Sequence, residues 1–190
     1  MNASRAALAE RQVRLTVDDY LVLEASGALK PYGRTELIDG VILPVSPQHL
    51  PHGRAKMHFI FELRDVVTSS KRDLAVMSEI SVDMRPHGMP MPDVFLSRVS
   101  RGTGSVPVEA VALIVEVSSS TQDVDAGPKA QLYAEQKVPE YWLVDIIAQN
   151  ATRMWQPTAQ GYARQSAVSF GERLDSATLP GVGVDTAALL

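Results

Sequence analysis

The segment VEAVALIVEV, residues 108–117, constrains the fold more than any other part of the chain. It is apolar on both faces, which is typical of a central strand buried on both sides of a sheet. Glu116 stands near its carboxyl end, and an unpaired carboxylate in such a setting costs several kcal/mol. Such a group is normally protonated, paired or bound to a cation. The segment therefore predicts a buried sheet and raises the question of what Glu116 does there.

Patterns elsewhere in the sequence predict helices and further strands around this segment. Thr16 with Asp19 three residues on marks a helix start, and Asp39-Gly40 between two apolar runs marks a hairpin turn. Apolar spacing predicts a helix over 54–67, and a further helix is expected to begin near Pro128, which suits a first helical turn. The other expected elements are strands over 74–85, 91–98, 108–117 and 139–146, and a C-terminal hairpin with short capping elements. This order predicts an α/β fold whose sheet has mixed strand directions.

Length and composition limit the number of domains and the classes of protein to which the chain can belong. A chain of 190 residues is expected to form one domain, here over residues 16–190, preceded by a polar, flexible arm over residues 1–15. Cysteine is absent, which excludes disulfides, a thiolate nucleophile and cysteine-ligated zinc. No run of about 18 apolar residues and no signal peptide is visible, so no membrane association and a cytoplasmic location are expected.

The net charge of −4 bears on possible partners. It argues against a broad basic surface for nucleic acid, although carboxylates that hold a metal ion invert the field locally.

Three acidic residues and one lysine form the candidate site. Glu36 lies at the start of the hairpin, Asp93 follows Pro92 at the start of a strand, and Glu116 lies near a strand end, where ligand sites of open α/β sheets gather. Lys129 is in the first turn of the following helix, on its core-facing side. Carboxylates that hold Mg²⁺, with an ammonium nearby, are suited to phosphodiester hydrolysis.

The motifs resemble a known family. Pro92-Asp93, then IVEVSSST with Glu116, then Asp125-x-x-x-Lys129-x-x-x-Tyr133, then VPEYWLVD look like the Uma-two-type family of restriction endonucleases, within the PD-(D/E)xK nuclease superfamily. TELIDGVI, the motif P-Q-H-x-x-H and LPGVGVD also fit. The resemblance covers nearly the whole chain from Thr16.

The resemblance implies a restriction-endonuclease-like fold, a mixed sheet flanked by helices with additional β-hairpins. It also implies that Asp93 and Glu116 bind Mg²⁺, or Mn²⁺ as a substitute, with Glu36 assisting. The superfamily's lysine would stand two residues after the glutamate, where this chain has Ser118, so Lys129 is expected to replace it. DNA is the implied substrate and a homodimer the implied assembly.

Structural interpretations compete with each catalytic assignment. Glu116 could be a buried acid neutralised by a lysine, Asp93 a turn residue, and Glu36 an exposed acid at the edge of the hairpin. Lys129 could simply pair with Asp125 along its helix, a contact worth a few tenths of a kcal/mol.

Three further residues are possible supporting members of the site. His52 is a loop or helix-start residue that could lie beside it, although no third ligand with zinc-like spacing accompanies His49 and His52. Ser118 lacks the glycine-flanked turn of a serine hydrolase and is expected to support the strand end. Tyr133 is expected in the core.

Two other functions remain open from the sequence. The missing lysine at Ser118 and the acidic charge favour a catalytically inactive module of the same fold that binds nucleic acid or protein. A metal-dependent hydrolase of another phosphoester is the third possibility.

Overall fold

A computed structural model describes residues 13–45, 47–99, 101–118 and 124–190 of the chain. The helices are α1 (Val17–Ala25), α2 (Leu50–Ser69) and α3 (Ala130–Glu135), the last preceded by a π-helical turn over Asp125–Lys129. The strands are β1 (Thr35–Ile38), β2 (Val41–Pro44), β3 (Ala75–Met77), β4 (Val82–Asp83), β5 (Val94–Ser97), β6 (Val106–Pro107), β7 (Val111–Ser118), β8 (Glu140–Asp145), β9 (Asn150–Thr158), β10 (Gly161–Ser169), β11 (Arg173–Asp175) and β12 (Gly183–Asp185). Short 3-10 turns cover Lys30–Tyr32, Val108–Ala110 and Ala187–Leu189.

A six-stranded mixed sheet organises the fold, in the order β10-β9-β8-β7-β5-β3. β7 is parallel to β8 and antiparallel to β5, and every one of its residues is buried. The prediction of a central strand inside a mixed sheet is therefore confirmed. The hairpin β1–β2 and the pairs β4–β6 and β11–β12 form separate two-stranded units.

The two faces of the sheet pack against different helices. On one face, α2 contributes Phe59 and Leu63 to a core that includes Val115 and Trp142. On the other face, Tyr133 from α3 packs near Ile114 with Phe95 and Tyr141, and the rings of Tyr133 and Tyr141 meet edge to face at 5.1 Å. The sheet is thus covered on both sides, as its uniformly apolar central strand requires.

Local sequence signals define the N-terminal region. Thr16 caps α1, since its hydroxyl accepts from the Asp19 N–H at 3.2 Å while Asp19 Oδ2 accepts from the Thr16 N–H at 2.9 Å. Asp39 and Gly40 have φ values of 51° and 78°, the left-handed pair that a two-residue hairpin turn needs. The predicted helix start and hairpin are therefore confirmed, and the tight turn holds β1 in register with β2.

Three segments differ from the sequence prediction. The single strand expected over 74–85 is wrong, because the segment divides into β3 and β4 around Glu79, whose φ of 54° is incompatible with a continuous strand. The helix expected over 54–67 begins earlier, at Leu50. The helix expected near Pro128 begins as a π turn, because proline has no N–H and cannot continue a regular hydrogen-bond ladder.

The predictions of a flexible N-terminal arm and of no membrane association are not decided by these elements. The expected N-terminal arm falls mostly on residues 1–12, outside the described residues. No helix in the described part of the chain is long and apolar enough to cross a membrane.

Candidate active site

A cleft of about 290 Å³ opens where the hairpin, the start of α2, the end of β7 and the π turn meet. It lies at the carboxyl end of the central strand, as the sequence predicted for a ligand site. The polar residues that line it are Arg34, Glu36, Gln48, His52, Glu79, Asp93, Glu116, Asp125 and Lys129. All four predicted catalytic residues are therefore brought together, although they come from distant parts of the chain.

Glu116 projects from β7 and is 3% exposed. Its Oε1 accepts a hydrogen bond from the Tyr133 hydroxyl at 2.7 Å and lies 3.1 Å from Lys129 Nζ. Its Oε2 accepts from the Asp93 N–H at 3.2 Å. Tyr133 is therefore both a core residue, as expected, and a donor that fixes the Glu116 carboxylate.

Among the described lysines and arginines, Lys129 is the only one that contacts the carboxylates of Glu36, Glu116 and Asp125. Its Nζ lies 3.1 Å from Glu36 Oε1, 3.1 Å from Glu116 Oε1 and 3.6 Å from Asp125 Oδ1. From the sequence, Lys129 was expected either to pair with Asp125 or to approach Glu116. In the structure it contacts both residues. The π turn places Asp125 and Lys129 on the same inward side of the helix start.

Asp93 immediately precedes β5 and is 8% exposed. Its Oδ2 accepts from the Val117 N–H at 2.9 Å and from His52 Nε2 at 3.1 Å. Its Oδ1 accepts from Gln48 Nε2 at 3.2 Å. His52 thus lies beside the site, in the first turn of α2, with a buried Nδ1 that has no hydrogen-bond partner among the described residues.

Glu36 is buried on β1 with 6% exposure, so the interpretation of it as an exposed acid at the hairpin edge is wrong. Its Oε2 accepts from the Met91 N–H at 3.2 Å, while Oε1 faces Lys129. Every residue of β1 is buried, since Leu37 packs with Val17 and Tyr20 of α1 while Glu36 lines the cleft. Glu36 is therefore enclosed although it lies near the surface turn of the hairpin.

Ser118 is buried at the end of β7, two residues after Glu116. Its hydroxyl has no hydrogen-bond partner within the described residues, and it is not among the residues that line the cleft. The remaining residues of the serine run, 119–121, lie outside the described part of the chain. A supporting role for Ser118 therefore stays a prediction.

The charges in the cleft are unbalanced. Glu36, Asp93, Glu116 and Asp125 are all at most 8% exposed, and Lys129 is the buried cation that meets three of them. Burial raises the pKa of Glu116 to about 8; Lys129 opposes the rise, while the other carboxylates add to it. A cation in the cleft would stabilise the ionised form of Glu116.

The pKa of Lys129 is also raised, but by the nearby charges and against the effect of burial. Burial alone would lower the pKa of its ammonium, but the carboxylates of Glu116, Glu36 and Asp125 outweigh burial and raise the pKa above its ordinary value. Burial and the nearby Glu116 likewise raise the pKa of Tyr133. At neutral pH Lys129, which lines the cleft, and Tyr133, which contacts Glu116 from the core, are therefore both protonated and act as hydrogen-bond donors.

The donor set fits a magnesium ion better than a zinc ion. Among the described residues, no group of three or more histidine and acidic side chains has an arrangement that could hold a metal by itself. Asp93 and Glu116 offer two carboxylates at the cleft. Mg²⁺ is commonly bound through one or two carboxylates, with water and substrate phosphate completing its shell, whereas structural zinc needs a closed set of protein ligands.

Sequence reasoning missed part of this site. It named Asp125 in a family motif and as an alternative partner for Lys129 but not as a site residue, and it did not select Gln48 or Glu79. Gln48 carried a signal, since it is the glutamine of the P-Q-H-x-x-H motif. Glu79 carried none, because it lay inside an apparent strand.

Comparison with known proteins agrees with the fold. A "putative nuclease belonging to DUF820" from Anabaena variabilis ATCC 29413 has the same fold, with a TM-score of 0.69 and 16% sequence identity, over 92% of this chain and 97% of that chain. No curated protein matches the sequence. The fold is therefore that of a nuclease-like mixed α/β protein, as predicted.

The chain belongs to the Uma2 family, described as "Putative restriction endonuclease", whose family model matches residues 17–187. The resemblance predicted from the sequence is confirmed, and it extends over the hairpin, the sheet and the C-terminal strands.

Proposed function

We propose that this protein is a Mg²⁺-dependent DNA endonuclease that hydrolyses phosphodiester bonds, with its functional unit over residues 16–190. Family membership supports a nuclease, and the chemistry of the cleft supports the finer assignment. The observation that carries it is the excess of buried acidic groups: four acidic side chains at most 8% exposed line the cleft, and the one buried lysine there contacts three of them. Such an excess is costly unless a cation binds.

Asp93 and Glu116 are the proposed ligands of the metal. Both are fixed by backbone and side-chain donors, so their oxygens are held for a ligand before it binds. When bound, Mg²⁺ would supply polarisation of the scissile phosphate and neutralisation of its charge. Mn²⁺ has similar ligand preferences and is the proposed substitute.

Lys129 is proposed to act as a fixed positive charge. Because its pKa is raised, the ammonium does not serve as a general base at neutral pH. It can donate hydrogen bonds to the attacking water or to the oxygens where negative charge develops, which is electrostatic stabilisation of the transition state. Glu36 and Asp125 also contact the ammonium and help to hold it in place.

The proposed assembly is a homodimer, because two sites are needed to cut both strands of a duplex in one encounter. Sedimentation analysis with and without duplex DNA tests this part. A protein that stays monomeric and only nicks one strand would contradict the dimer without contradicting the chemistry.

The decisive experiment measures metal binding and plasmid nicking together. We expect the purified protein to bind Mn²⁺ and to nick supercoiled DNA with Mg²⁺ or Mn²⁺, and we expect Asp93→Asn and Glu116→Gln to lose both activities. Lys129→Met should reduce nicking by about 100-fold or more. Glu135→Gln, which changes an exposed acid of α3 outside the cleft, is the matched control and should behave as the wild type.

The outcomes separate the remaining functions. Salt-dependent DNA binding without cleavage under any metal condition would indicate the catalytically inactive module. Absence of both metal binding and DNA binding would contradict the proposed function altogether.

A further inference from the structure

A second group of charged residues lies at the mouth of the cleft, and the proposed chemistry does not use it. We call it the Glu79 network; it consists of Glu79, Gln48, Lys56 and Arg34. Glu79 Oε2 accepts from Arg34 at 2.8 Å, and Glu79 Oε1 accepts from Gln48 Nε2 at 2.9 Å and also from Lys56. Lys56 is largely buried, with a side chain 11% exposed, so the network reaches from the surface into the wall of the cleft.

Gln48 connects this network to Asp93. Its Nε2 donates to Glu79 Oε1 and to Asp93 Oδ1 at 3.2 Å, while its Oε1 accepts from Lys56 Nζ. The amide can have only this orientation, because ionised carboxylates only accept and an ammonium only donates. Glu79 and Lys56 together therefore determine which end of the Gln48 amide faces Asp93.

The backbone beside Glu79 holds Asp93 by a second route. The Glu79 N–H donates to the Pro92 carbonyl at 3.0 Å, and the Ser78 hydroxyl donates to the Asp93 carbonyl at 2.7 Å. Glu79 has the left-handed φ of 54°, a conformation that a residue with a side chain adopts at a cost. The break between β3 and β4 thus places one short segment against both the main chain and, through Gln48, the side chain of Asp93.

We propose that Gln48, oriented by Glu79 and Lys56, is a positioning residue that holds Asp93 Oδ1 in the direction needed for binding the divalent metal. This inference rests on the proposed function, since it takes Asp93 as a metal ligand. His52 and the Val117 N–H fix Oδ2 of the same carboxylate, so Gln48 supplies the donor that sets the rotation of the carboxylate at Oδ1. Partners of ligating carboxylates are typically worth about 10–100-fold in metal affinity or activity.

Isothermal titration with Mn²⁺ tests the inference without requiring catalysis. Gln48→Met keeps the length of the side chain and removes its donors, and we expect it to weaken Mn²⁺ binding by about tenfold while leaving the thermal unfolding midpoint unchanged. Gln131→Met is the matched control, because Gln131 donates to Glu135 and to the Ala159 carbonyl but lies outside the cleft. It should bind Mn²⁺ as the wild type does.

A double-mutant cycle tests the route through Glu79. We expect Glu79→Gln to weaken Mn²⁺ binding severalfold in the presence of Gln48 and to have no further effect in the Gln48→Met background. Additive effects of the two substitutions would show that Glu79 does not act through Gln48 and would overturn that part of the inference.

The remaining outcomes distinguish this inference from the proposed function. Wild-type Mn²⁺ affinity in Gln48→Met, with loss in Asp93→Asn, would overturn the positioning role alone. Unchanged Mn²⁺ affinity with a raised KM for DNA would make Gln48 a substrate contact and also overturn it. Absence of Mn²⁺ binding by the wild-type protein would overturn the proposed function and the inference together.

Discussion

Glu116 and Glu140 are two buried carboxylates on adjacent parallel strands of one sheet, and their surroundings differ in kind. Glu140, at the start of β8, is 0% exposed, and Glu116, near the end of β7, is 3% exposed. The Glu140 oxygens accept five hydrogen bonds of 2.6–3.0 Å, from Trp142 Nε1, the Ser176 hydroxyl, the Ala177 N–H, and the N–H and hydroxyl of Thr178. All these donors are neutral and belong to the scaffold.

Glu116 instead has one backbone donor, one tyrosine and one shared lysine, and it faces a cleft that contains three more buried acids. Glu140 is satisfied by the folded chain itself, whereas the group around Glu116 retains an excess of negative charge. A buried carboxylate by itself therefore does not mark a functional site. A functional site is marked instead by several carboxylates that converge on a cleft containing too few cations to neutralise them.

The largest stability effect is expected at Glu140. Glu140→Gln replaces one acceptor oxygen by an amino group that faces donors, so we expect the free energy of unfolding to fall by about 3 kcal/mol. Urea unfolding measures this loss. DNA nicking per folded molecule should stay at the wild-type level, and a specific loss of nicking would show that Glu140 also belongs to the site.

A smaller stability effect with a large functional effect is expected at Glu116. Glu116→Gln removes a carboxyl group whose ionised form is disfavoured by burial, and Lys129 keeps Glu36 and Asp125 as partners, so we expect stability at neutral pH to stay at the wild-type level or to rise. Mn²⁺ binding should be lost. Destabilisation as great as that of Glu140→Gln would make Glu116 a structural acid and remove the contrast.

The pH dependence of stability tests the environment of Glu116 directly. The pKa of Glu116 rises from 4.5 to about 8 on folding, chiefly through burial, so the native state holds its proton more tightly than the unfolded state does. The contribution of Glu116 to the free energy of unfolding therefore decreases as pH rises through that window. Urea unfolding from acidic to mildly basic pH should show this decrease in the wild type and not in Glu116→Gln. A decrease of the same size in both proteins would assign it to other groups.

The smallest effect is expected at the mouth of the cleft. Hydrogen bonds from Lys56 and Arg34 lower the pKa of Glu79 from 4.5 to about 2, so its stabilising contribution is complete above 4.5 and is lost as pH falls towards 2. Because the Glu79 side chain is 31% exposed, Glu79→Gln should cost at most about 1 kcal/mol at neutral pH. The difference from the wild type should vanish in acid. A difference that persists there would have another origin than the ionised carboxylate.

The sequence was most informative where local chemistry decides the structure. The capping pair of Thr16 and Asp19 and the Asp39-Gly40 turn each act within a few residues, and both predictions are confirmed. Glu116 could be selected because it interrupts an apolar run. The predicted position of Lys129 beside it followed from helix geometry and the strand end, and the contact at 3.1 Å agrees with it.

The parts that could not be predicted depend on tertiary contacts. Glu140 stands at the first position of its strand, where an acid looks exposed, and only the distant segment around Ser176 encloses it. The left-handed backbone at Glu79 is fixed by its contacts with Pro92 and the cleft residues, so the segment resembled an uninterrupted strand. The π turn that brings Asp125 inward depends on how Pro128 is accommodated.

The parallel pairing of β7 and β8 has a consequence for how the molecule folds. These strands are the only parallel neighbours among the described strands of the six-stranded sheet, and the connection between them carries Lys129. The chain must therefore deliver the ammonium to the acidic cleft in the same crossover that completes the sheet. Its arrival relieves the repulsion among the carboxylates, so we expect site assembly and sheet closure to be one cooperative event. Amide hydrogen exchange should then report the same opening free energy for β8 and for the helix that follows Lys129, and separate values would show two steps.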